Sequence, residues 1–116
     1  MPHLEDGARA EQLAAEYLQR RGLTVVVRNF RCRAGEIDLI LRDGATLVFA
    51  EVRLRKNDAF GGATASITSR KQHKLRLAAQ YYLQTLPTEP PCRFDALLLD
   101  RLDENAVEWI KNVISG

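Results

Sequence analysis

The stretch GEIDLILRDGATLVFAEVRLR, residues 35–55, decides the fold of this chain. Two runs rich in apolar and β-branched residues flank an Asp-Gly dipeptide, which is typical of a tight hairpin turn. These runs therefore predict two antiparallel strands. The carboxylates of Glu36, Asp38 and Glu51 lie among the apolar residues, and a carboxylate is costly to dehydrate unless something pairs with it. A metal ion is one such partner.

The length of the hairpin loop decides which residues face each other. A two-residue loop formed by the Asp-Gly pair sets Asp38 across from Phe49, and a four-residue loop over 43–46 sets it across from Glu51. Side chains alternate with period two, so both loop lengths put Asp38 and Glu51 on the same face of the hairpin. Only a loop of odd length would separate them.

The two faces of this hairpin differ in character. One face is apolar throughout and is predicted to be core: Ile37, Leu39, Leu41, Val48, Ala50, Val52 and Leu54. The other face mixes charged and apolar side chains, so we predict that it is half covered rather than fully solvated. Its members are Glu36, Asp38, Ile40, Arg42, Leu47, Phe49, Glu51, Arg53 and Arg55.

Two segments have the apolar period of an amphipathic helix. The first covers residues 7–21, and Gly22 supplies its C-terminal stop. The second covers residues 67–86, and Ser66 or Thr68 can cap it. Each helix therefore has one face that must pack against a sheet.

Three further segments have the composition of strands. Residues 23–30 and 92–100 predict buried strands, and residues 106–114 predict a last strand or a strand-like tail. Residues 56–65 form a loop by composition. The predicted order is αβββαβ with a terminal element, which is a sheet with helices, one of them linking strands across the sheet.

Composition and charge indicate one globular domain over residues 1–116, with 46% hydrophobic and 28% charged residues. The net charge is only +2, so only a local cluster could indicate a nucleic-acid partner. Cys32 and Cys92 lack the spacing of a zinc site or a disulfide framework. The charged first residues and the lack of an apolar run of about 20 residues predict a cytoplasmic protein without a membrane partner.

Asp38 and Glu51 are candidate ligands of a divalent metal ion. Mg²⁺ and similar hard cations prefer oxygen ligands and keep several waters or take phosphate oxygens. Such an ion lowers the pKa of a bound water and offsets charge that builds on a phosphate. Arg53 projects from the same face and could hold that phosphate through two hydrogen bonds. A solvated surface with cross-strand ion pairs explains the same alternation, so the spacing leaves both interpretations open.

Basic residues cluster at the end of the third strand and the start of the second helix. They are Arg53, Arg55, Lys56, Arg70, Lys71, Lys74 and Arg76. If the intervening loop folds back, they flank one groove and contact phosphates, and a solvated helix face is the alternative. Lys71 differs because it lies on the apolar stripe of its helix and needs a partner. His3 and His73 are predicted to be surface residues.

The order of several short motifs resembles the YraN-like family of small bacterial proteins. The motifs cover nearly the whole chain: GARAEQLAAEYL at 7–18, NFR at 29–31, GEIDLI at 35–40, VFAEVRLR at 48–55, FG at 60–61, Lys71, AQYYL at 79–83 and RFD at 93–95. The resemblance implies a restriction-endonuclease-like core, similar to that of archaeal Holliday junction resolvases. That core is an α/β fold with αβββαβ order and a central mixed sheet flanked by helices.

In that superfamily an acid on the second core strand and an E-x-K motif on the third bind the metal ion, and a glutamate on the first helix often assists. The resemblance places these roles on Asp38, Glu51 and Glu11, and Arg53 stands where the motif has lysine. It implies a nuclease that uses Mg²⁺ or Mn²⁺ on DNA, including branched DNA. It also implies a homodimer, since resolvases of this fold cut symmetrically.

The residue roles expected of such an enzyme follow from these positions. Asp38 and Glu51 ligate the ion, and Arg53 holds the phosphate. Glu36 or Glu11 adds an outer ligand or orients water. The residues expected to contact the DNA backbone are Arg55, Lys71 and Lys74.

Arginine at position 53 leaves alternatives open, because a guanidinium keeps its charge but cannot accept a proton. The first alternative is a catalytically inactive nucleic-acid-binding module on the same fold. The second is a protein-interaction domain whose acidic hairpin face only forms surface ion pairs. An Arg53→Lys substitution separates nuclease from binding module, because only a lapsed nuclease should gain activity.

Overall fold

A computed structural model describes residues 2–55 and 68–114, apart from the side chains of residues 2–5. The predicted loop over 56–65, the Ser66 cap, Lys56 and the His3 side chain lie outside this description. The elements in chain order are α1 (Pro2–Arg20), β1 (Thr24–Cys32), β2 (Gly35–Asp43), β3 (Thr46–Leu54), α2 (Ser69–Leu83), β4 (Cys92–Leu99) and β5 (Val107–Ile110). The α/β class and the αβββαβ order with a terminal strand are confirmed.

The five strands form one mixed sheet in the order β1-β2-β3-β4-β5. Neighbouring strands are antiparallel except for β3 and β4, which pair in parallel from Leu47–Cys92 to Leu54–Leu99. Parallel neighbours need a crossover connection, and α2 lies within the connection from β3 to β4. The helix predicted to link strands across the sheet is therefore this one.

One cap ends α1 and another begins α2. Gly22 has a φ of 94°, and the Leu23 N–H donates to the Leu18 carbonyl at 3.1 Å, as expected of a left-handed C-terminal cap. Thr68 is the N-cap of α2, and its hydroxyl accepts a hydrogen bond from the Lys71 N–H at 3.2 Å. The helix ends at Leu83, short of the predicted 86, because the chain tightens into turns before the proline-rich segment.

The hairpin has the register of the longer predicted loop. Pairing runs from Asp43–Thr46 to Leu39–Ala50 without a bulge, and the turn itself consists of residues 44 and 45. Gly44 has a φ of 60°, a conformation that glycine adopts at little cost. The two-residue loop formed by the Asp-Gly pair was therefore the wrong alternative, because the glycine occupies the first turn position and Asp43 still pairs.

The two helices cover opposite faces of the sheet. α1 packs over the face predicted to be apolar, in a cluster of Ala14, Ala15, Leu18, Leu23, Leu39, Leu41, Val48, Ala50 and Leu97. α2 packs over the other face, in a cluster of Ile40, Leu47, Phe49, Leu75, Ala78, Ala79 and Ile114. Ile37 also belongs to this cluster, so its predicted place on the first face was wrong. The prediction that this second face is half covered is confirmed, because α2 covers its centre, where Phe49 is 2% exposed, while Glu36 and Arg42 stay exposed.

A buried carboxylate in β4 fixes the last strand. Asp95 is 1% exposed and accepts hydrogen bonds from Arg93 Nε at 3.1 Å, Trp109 Nε1 at 3.0 Å and the Asn112 N–H at 3.0 Å. Arg93 also pairs with Asp43 at 2.9 Å. One carboxylate thus ties β4 to β5 and to the segment that follows it, since a buried charge is tolerated only with such partners.

Asp95→Asn should lower the free energy of unfolding by about 3 kcal/mol, because removing one member of a buried ion pair leaves the other charge uncompensated. Urea denaturation measures this loss. The matched control is Asp100→Asn, which removes a carboxylate that is 53% exposed and should cost less than about 1 kcal/mol. Equal losses in the two variants would contradict the anchoring role of Asp95.

Candidate functional site

Two carboxylates meet at the end of the hairpin that lies away from its turn. The β2–β3 pairing ends at Leu39–Ala50, and Asp38 and Glu51 are the next residue on each strand. Both side chains are nearly buried, with Asp38 9% and Glu51 7% exposed. The Val52 N–H donates to Asp38 Oδ2 at 2.8 Å and fixes that carboxyl group. The structure therefore brings together the two residues that the hairpin pattern had placed on one face.

Burial and mutual repulsion change the acidity of this pair. Burial, with the neighbouring Glu51 and Glu11 charges, raises the pKa of Asp38 to about 7, although the Val52 N–H bond acts in the opposite direction. Burial also raises the pKa of Glu51, and the positive charge of Arg53 counteracts part of this rise. Near neutral pH the burial and mutual repulsion of the pair therefore favour uptake of a proton.

Lys71 reaches the acidic pair from α2. Its Nζ lies 2.8 Å from Glu51 Oε2, and the lysine side chain remains 29% exposed. The helix is held on the sheet by Leu75, Ala78 and Ala79, which are its buried residues. The prediction that Lys71 needs a partner on the apolar side of its helix is confirmed, and the partner is a candidate metal ligand.

Glu11 joins the site from α1. Its carboxyl group lies within hydrogen-bond reach of the Asn29 and Asp38 side chains. Burial raises the pKa of Glu11, and the nearby Glu36 raises it further. The carboxylate of Glu36 is itself exposed and pairs with Arg31 at 3.2 Å. All four predicted acids therefore lie in one region, with Asp38 and Glu51 inside and Glu36 at the rim.

Asn29 was not among the predicted site residues. It has a φ of 53°, a left-handed conformation in which asparagine is favoured over most other residues. Its side chain lowers the pKa of Glu11 by hydrogen bonding. The signal available in the sequence was the NFR motif at 29–31, although nothing in that motif indicated a contact with the first helix.

A cavity opens beside the acidic pair. It has a volume of about 230 Å³ and is lined by Gly35, Glu36, Glu51, Lys71, Lys74 and Leu75. A neighbouring pocket of about 280 Å³ is lined by Thr68, Arg70, Lys71 and Lys74. Lys71 and Lys74 thus belong to both, so the acidic residues lie at one end of a surface whose other end is basic.

Gly35, at the edge of this cavity, has a backbone conformation that favours glycine. Its φ is 149°, and a Cβ there would lie 3.9 Å from the Lys74 Cβ. An L side chain rarely adopts this backbone conformation, so glycine is required more by the dihedral angle than by the space.

Arg53 in β3 and Arg55, the first residue after the strand, have different surroundings. The Nε atom of Arg53 is buried and makes no hydrogen bond with any described residue, while the arginine charge acts on Glu51. Arg55 is 17% exposed and pairs with Asp100 at 2.9 Å and Glu108 at 3.2 Å. The guanidinium predicted to contact DNA at position 55 is thus engaged by two carboxylates of the protein.

The donor set suits a hard cation with few protein ligands. No group of three or more Asp, Glu, His or Cys side chains within 2–55 and 68–114 is arranged to enclose a metal ion. Mg²⁺ is commonly held by only one or two carboxylates together with water and phosphate oxygens, and Mn²⁺ accepts similar oxygen ligands. Asp38 and Glu51 fit that requirement, because two nearly buried carboxyl groups side by side create a negative potential that a cation would relieve.

The fold and the site define the class as a mixed-sheet α/β protein with a buried carboxylate pair beside a basic cavity. The model of the family described as "Uncharacterised protein family UPF0102" matches residues 10–99, and the chain belongs to that family. This confirms the resemblance to the YraN-like family. No helix in the described parts of the chain has the length and apolarity to cross a membrane.

Several relatives match over almost their whole length. A UPF0102 protein of Methylobacillus flagellatus is 51% identical over 110 residues, which are 95% of this chain and 96% of the relative. Another, from Nitrosomonas europaea, is 54% identical over 106 residues, covering 91% and 90% of the two chains. A third, from Nitrosospira multiformis, is 55% identical over 106 residues, covering 91% and 89%. The names of these relatives state no activity.

Asp38→Asn should raise the free energy of unfolding above that of wild type at about pH 8, and this gain should shrink progressively toward pH 4. The unfolded chain releases the Asp38 proton near 3.8, whereas the folded protein retains it up to about 7. Between these values the folded state binds more protons, so wild-type stability falls as the pH rises. The substitution keeps an acceptor for the Val52 N–H. The free energy of unfolding at about pH 8 should therefore rise by up to about 4 kcal/mol.

Urea denaturation in the presence of a chelator, from about pH 4 to pH 8, measures this difference. Asp100→Asn is the control, since it removes an exposed carboxylate outside the site and should keep the wild-type pH profile. Parallel pH profiles for wild type and Asp38→Asn would show that the pair does not hold a proton.

Proposed function

We propose that this protein is a metal-dependent nuclease that hydrolyses phosphodiester bonds of DNA, with branched DNA among its substrates. The observation that carries the proposal is the buried Asp38–Glu51 pair beside a cavity that Glu51 lines together with a basic wall, Lys71 and Lys74. A cation and a phosphate are the two groups that such a neighbourhood of negative and positive charge can hold together.

Four side chains supply the parts of the proposed reaction. Asp38 and Glu51 hold Mg²⁺ or Mn²⁺, and that ion would provide a nucleophilic water and offset charge on the phosphate. Glu11 lies beside Asp38, which supports a role in orienting water. The positive charge of Arg53 acts on Glu51 from the same strand, which supports a role in holding a phosphate oxygen.

The basic wall gives the DNA strand a route to the acidic pair. Lys74 is exposed and lines both the cavity and the neighbouring pocket, where it meets Arg70 and Thr68. No acidic residue lies in the first turn of α2, so the helix start adds a favourable potential for phosphates. We assign strand contacts to Lys74 and Arg70 and not to Arg55, whose guanidinium pairs with two carboxylates.

The second candidate is a nucleic-acid-binding module without catalysis. It is favoured by one observation, the arginine at position 53, which retains the charge of a lysine but not its capacity to lose a proton. Such a module would use the same basic wall, and its affinity for DNA would fall with salt. The two candidates therefore differ in cleavage and not in binding.

Glu51→Gln should reduce cleavage of DNA by at least roughly 100-fold, because it removes a charged ligand from the metal and the developing charge loses its compensation. The assay incubates labelled single-stranded, duplex, flap and four-way-junction DNA with the protein and Mn²⁺, or with chelator. Glu89→Gln is the matched control, since Glu89 is exposed on a loop outside the site.

Three outcomes of this assay are informative. Metal-dependent cutting that disappears only in Glu51→Gln supports the nuclease. Intact DNA that is nevertheless shifted on a gel supports the binding module, and a gain of cutting in Arg53→Lys then identifies a lapsed nuclease. Neither cutting nor shift excludes both candidates and leaves a protein-interaction domain.

Lys74→Gln should weaken DNA binding on all sequences and lower the slope of log affinity against log salt by about 1, as expected of one lost phosphate contact. Fluorescence anisotropy with chelator present measures this slope without cleavage. Arg101→Gln removes one charge from a side chain that is 67% exposed and pairs with Asp103, so its slope should equal that of the wild type. Equal slopes for both variants would place the DNA elsewhere.

A further inference from the structure

In the E-x-K motif that the resemblance implies, a lysine ammonium follows the metal-binding glutamate, and β3 has Arg53 at that position. Arg53 offers a planar guanidinium, whose Nε is buried without a hydrogen bond to any described residue. A guanidinium delocalises its charge and is larger than an ammonium, so it does not reproduce a compact point charge next to an acidic pair. A compact positive charge beside the acidic pair must therefore come from an element other than β3.

Helix α2 provides a compact positive charge at that place. Lys71 Nζ lies 2.8 Å from Glu51 Oε2, which is the distance of an ion pair, although this buried oxygen accepts no hydrogen bond of good geometry from a described residue. The lysine is well fixed at its backbone, because its N–H donates to the hydroxyl of the Thr68 cap. Its helix is fixed on the sheet by the buried Leu75. The approach of Lys71 is thus set by both the cap and the core.

The exposure of Lys71 argues against a purely internal counter-ion. Its side chain is 29% exposed, whereas that of Glu51 is 8% exposed, so the ammonium marks the boundary between the carboxylates and the open space. Lys71 also lines both the cavity beside Glu51 and the pocket beside Arg70. A phosphate that enters from the basic wall would meet this ammonium directly in front of Glu51.

We infer that Lys71 takes the place of the missing E-x-K lysine, and that its ammonium contacts both Glu51 and the phosphate under attack. This inference rests on the proposed nuclease function and adds a catalytic residue to it. It changes the role first expected of Lys71, which was a contact to the DNA backbone away from the reaction. It also explains how arginine at position 53 is compatible with activity.

The test combines cleavage with metal binding in variants of the whole protein. Lys71→Gln should lower the single-turnover rate of DNA cleavage in Mn²⁺ by roughly 10²- to 10³-fold, the usual effect of losing one group that stabilises the reacting charge. Arg53→Lys introduced into Lys71→Gln should restore a large part of that rate, because it returns an ammonium from the strand. A purely structural role of Lys71 would not be rescued in this way.

The second readout does not depend on activity. An ammonium beside Glu51 repels a divalent ion, so Lys71→Gln should tighten Mn²⁺ binding without DNA by at least roughly 5-fold, measured by calorimetry. Lys71→Met repeats the measurement with a side chain that keeps the apolar stem. Lys111→Gln is the control, because Lys111 lies over the Trp109 ring at 4.4 Å, and Trp109 packs with the α1 cluster on the opposite face of the sheet.

The outcomes distinguish failure of the role inferred for Lys71 from failure of the nuclease proposal. Loss of cleavage, rescue by Arg53→Lys and tighter Mn²⁺ binding together support the inference. Wild-type cutting that persists in Lys71→Gln, or an unchanged affinity for Mn²⁺ in both Lys71 variants, overturns it while the nuclease proposal stands. If wild type cuts no DNA although Mn²⁺ binding responds as expected, the nuclease proposal fails, and the catalytic role of Lys71 fails with it.

Discussion

The register between β2 and β3 is the constraint on which the rest of the structure depends. Pairing from Asp43–Thr46 to Leu39–Ala50 sends Leu39 toward α1 and Glu51 toward α2. A slip by one residue would exchange the two faces of one strand, since side chains alternate with period two. The carboxylate of Glu51 would then enter the apolar cluster beneath α1. The turn at Gly44 therefore controls both the core and the site.

Covering both faces of this hairpin has an electrostatic consequence. α2 packs over Phe49 and Ile40 and thereby removes water from the neighbouring Asp38 and Glu51. Two dehydrated carboxylates repel each other, and the free energy of that arrangement is lowered by a proton, by a cation from the protein or by a metal ion. The same helix that dehydrates the acids also brings Lys71 to them. Packing and charge compensation are thus supplied together.

The sequence was sufficient for the elements and for part of the site. Alternation on the hairpin placed Asp38 and Glu51 on one face for either even loop length, and the helical period showed that Lys71 needed a partner. It was not sufficient for contacts between distant segments. Arg55 pairs with residues 45 and 53 positions away, and Glu11 reaches Asp38 from the other layer. Periodicity describes which face is covered, but not which charged side chain arrives there.

Burying Asp38 and Glu51 costs free energy, and this cost bears on whether the pair serves stability or ligand binding. Replacing buried charges by apolar residues of similar size commonly leaves stability unchanged or raises it, so an interior selected for stability alone has no need of Asp38 and Glu51. Asp95 differs, because Arg93, Trp109 and the backbone satisfy its carboxylate completely. The chain therefore contains one buried carboxylate whose partners make it structural and a pair whose charge is only partly compensated. Incomplete compensation next to an open basic cavity is what distinguishes a site for a ligand from an internal ion pair.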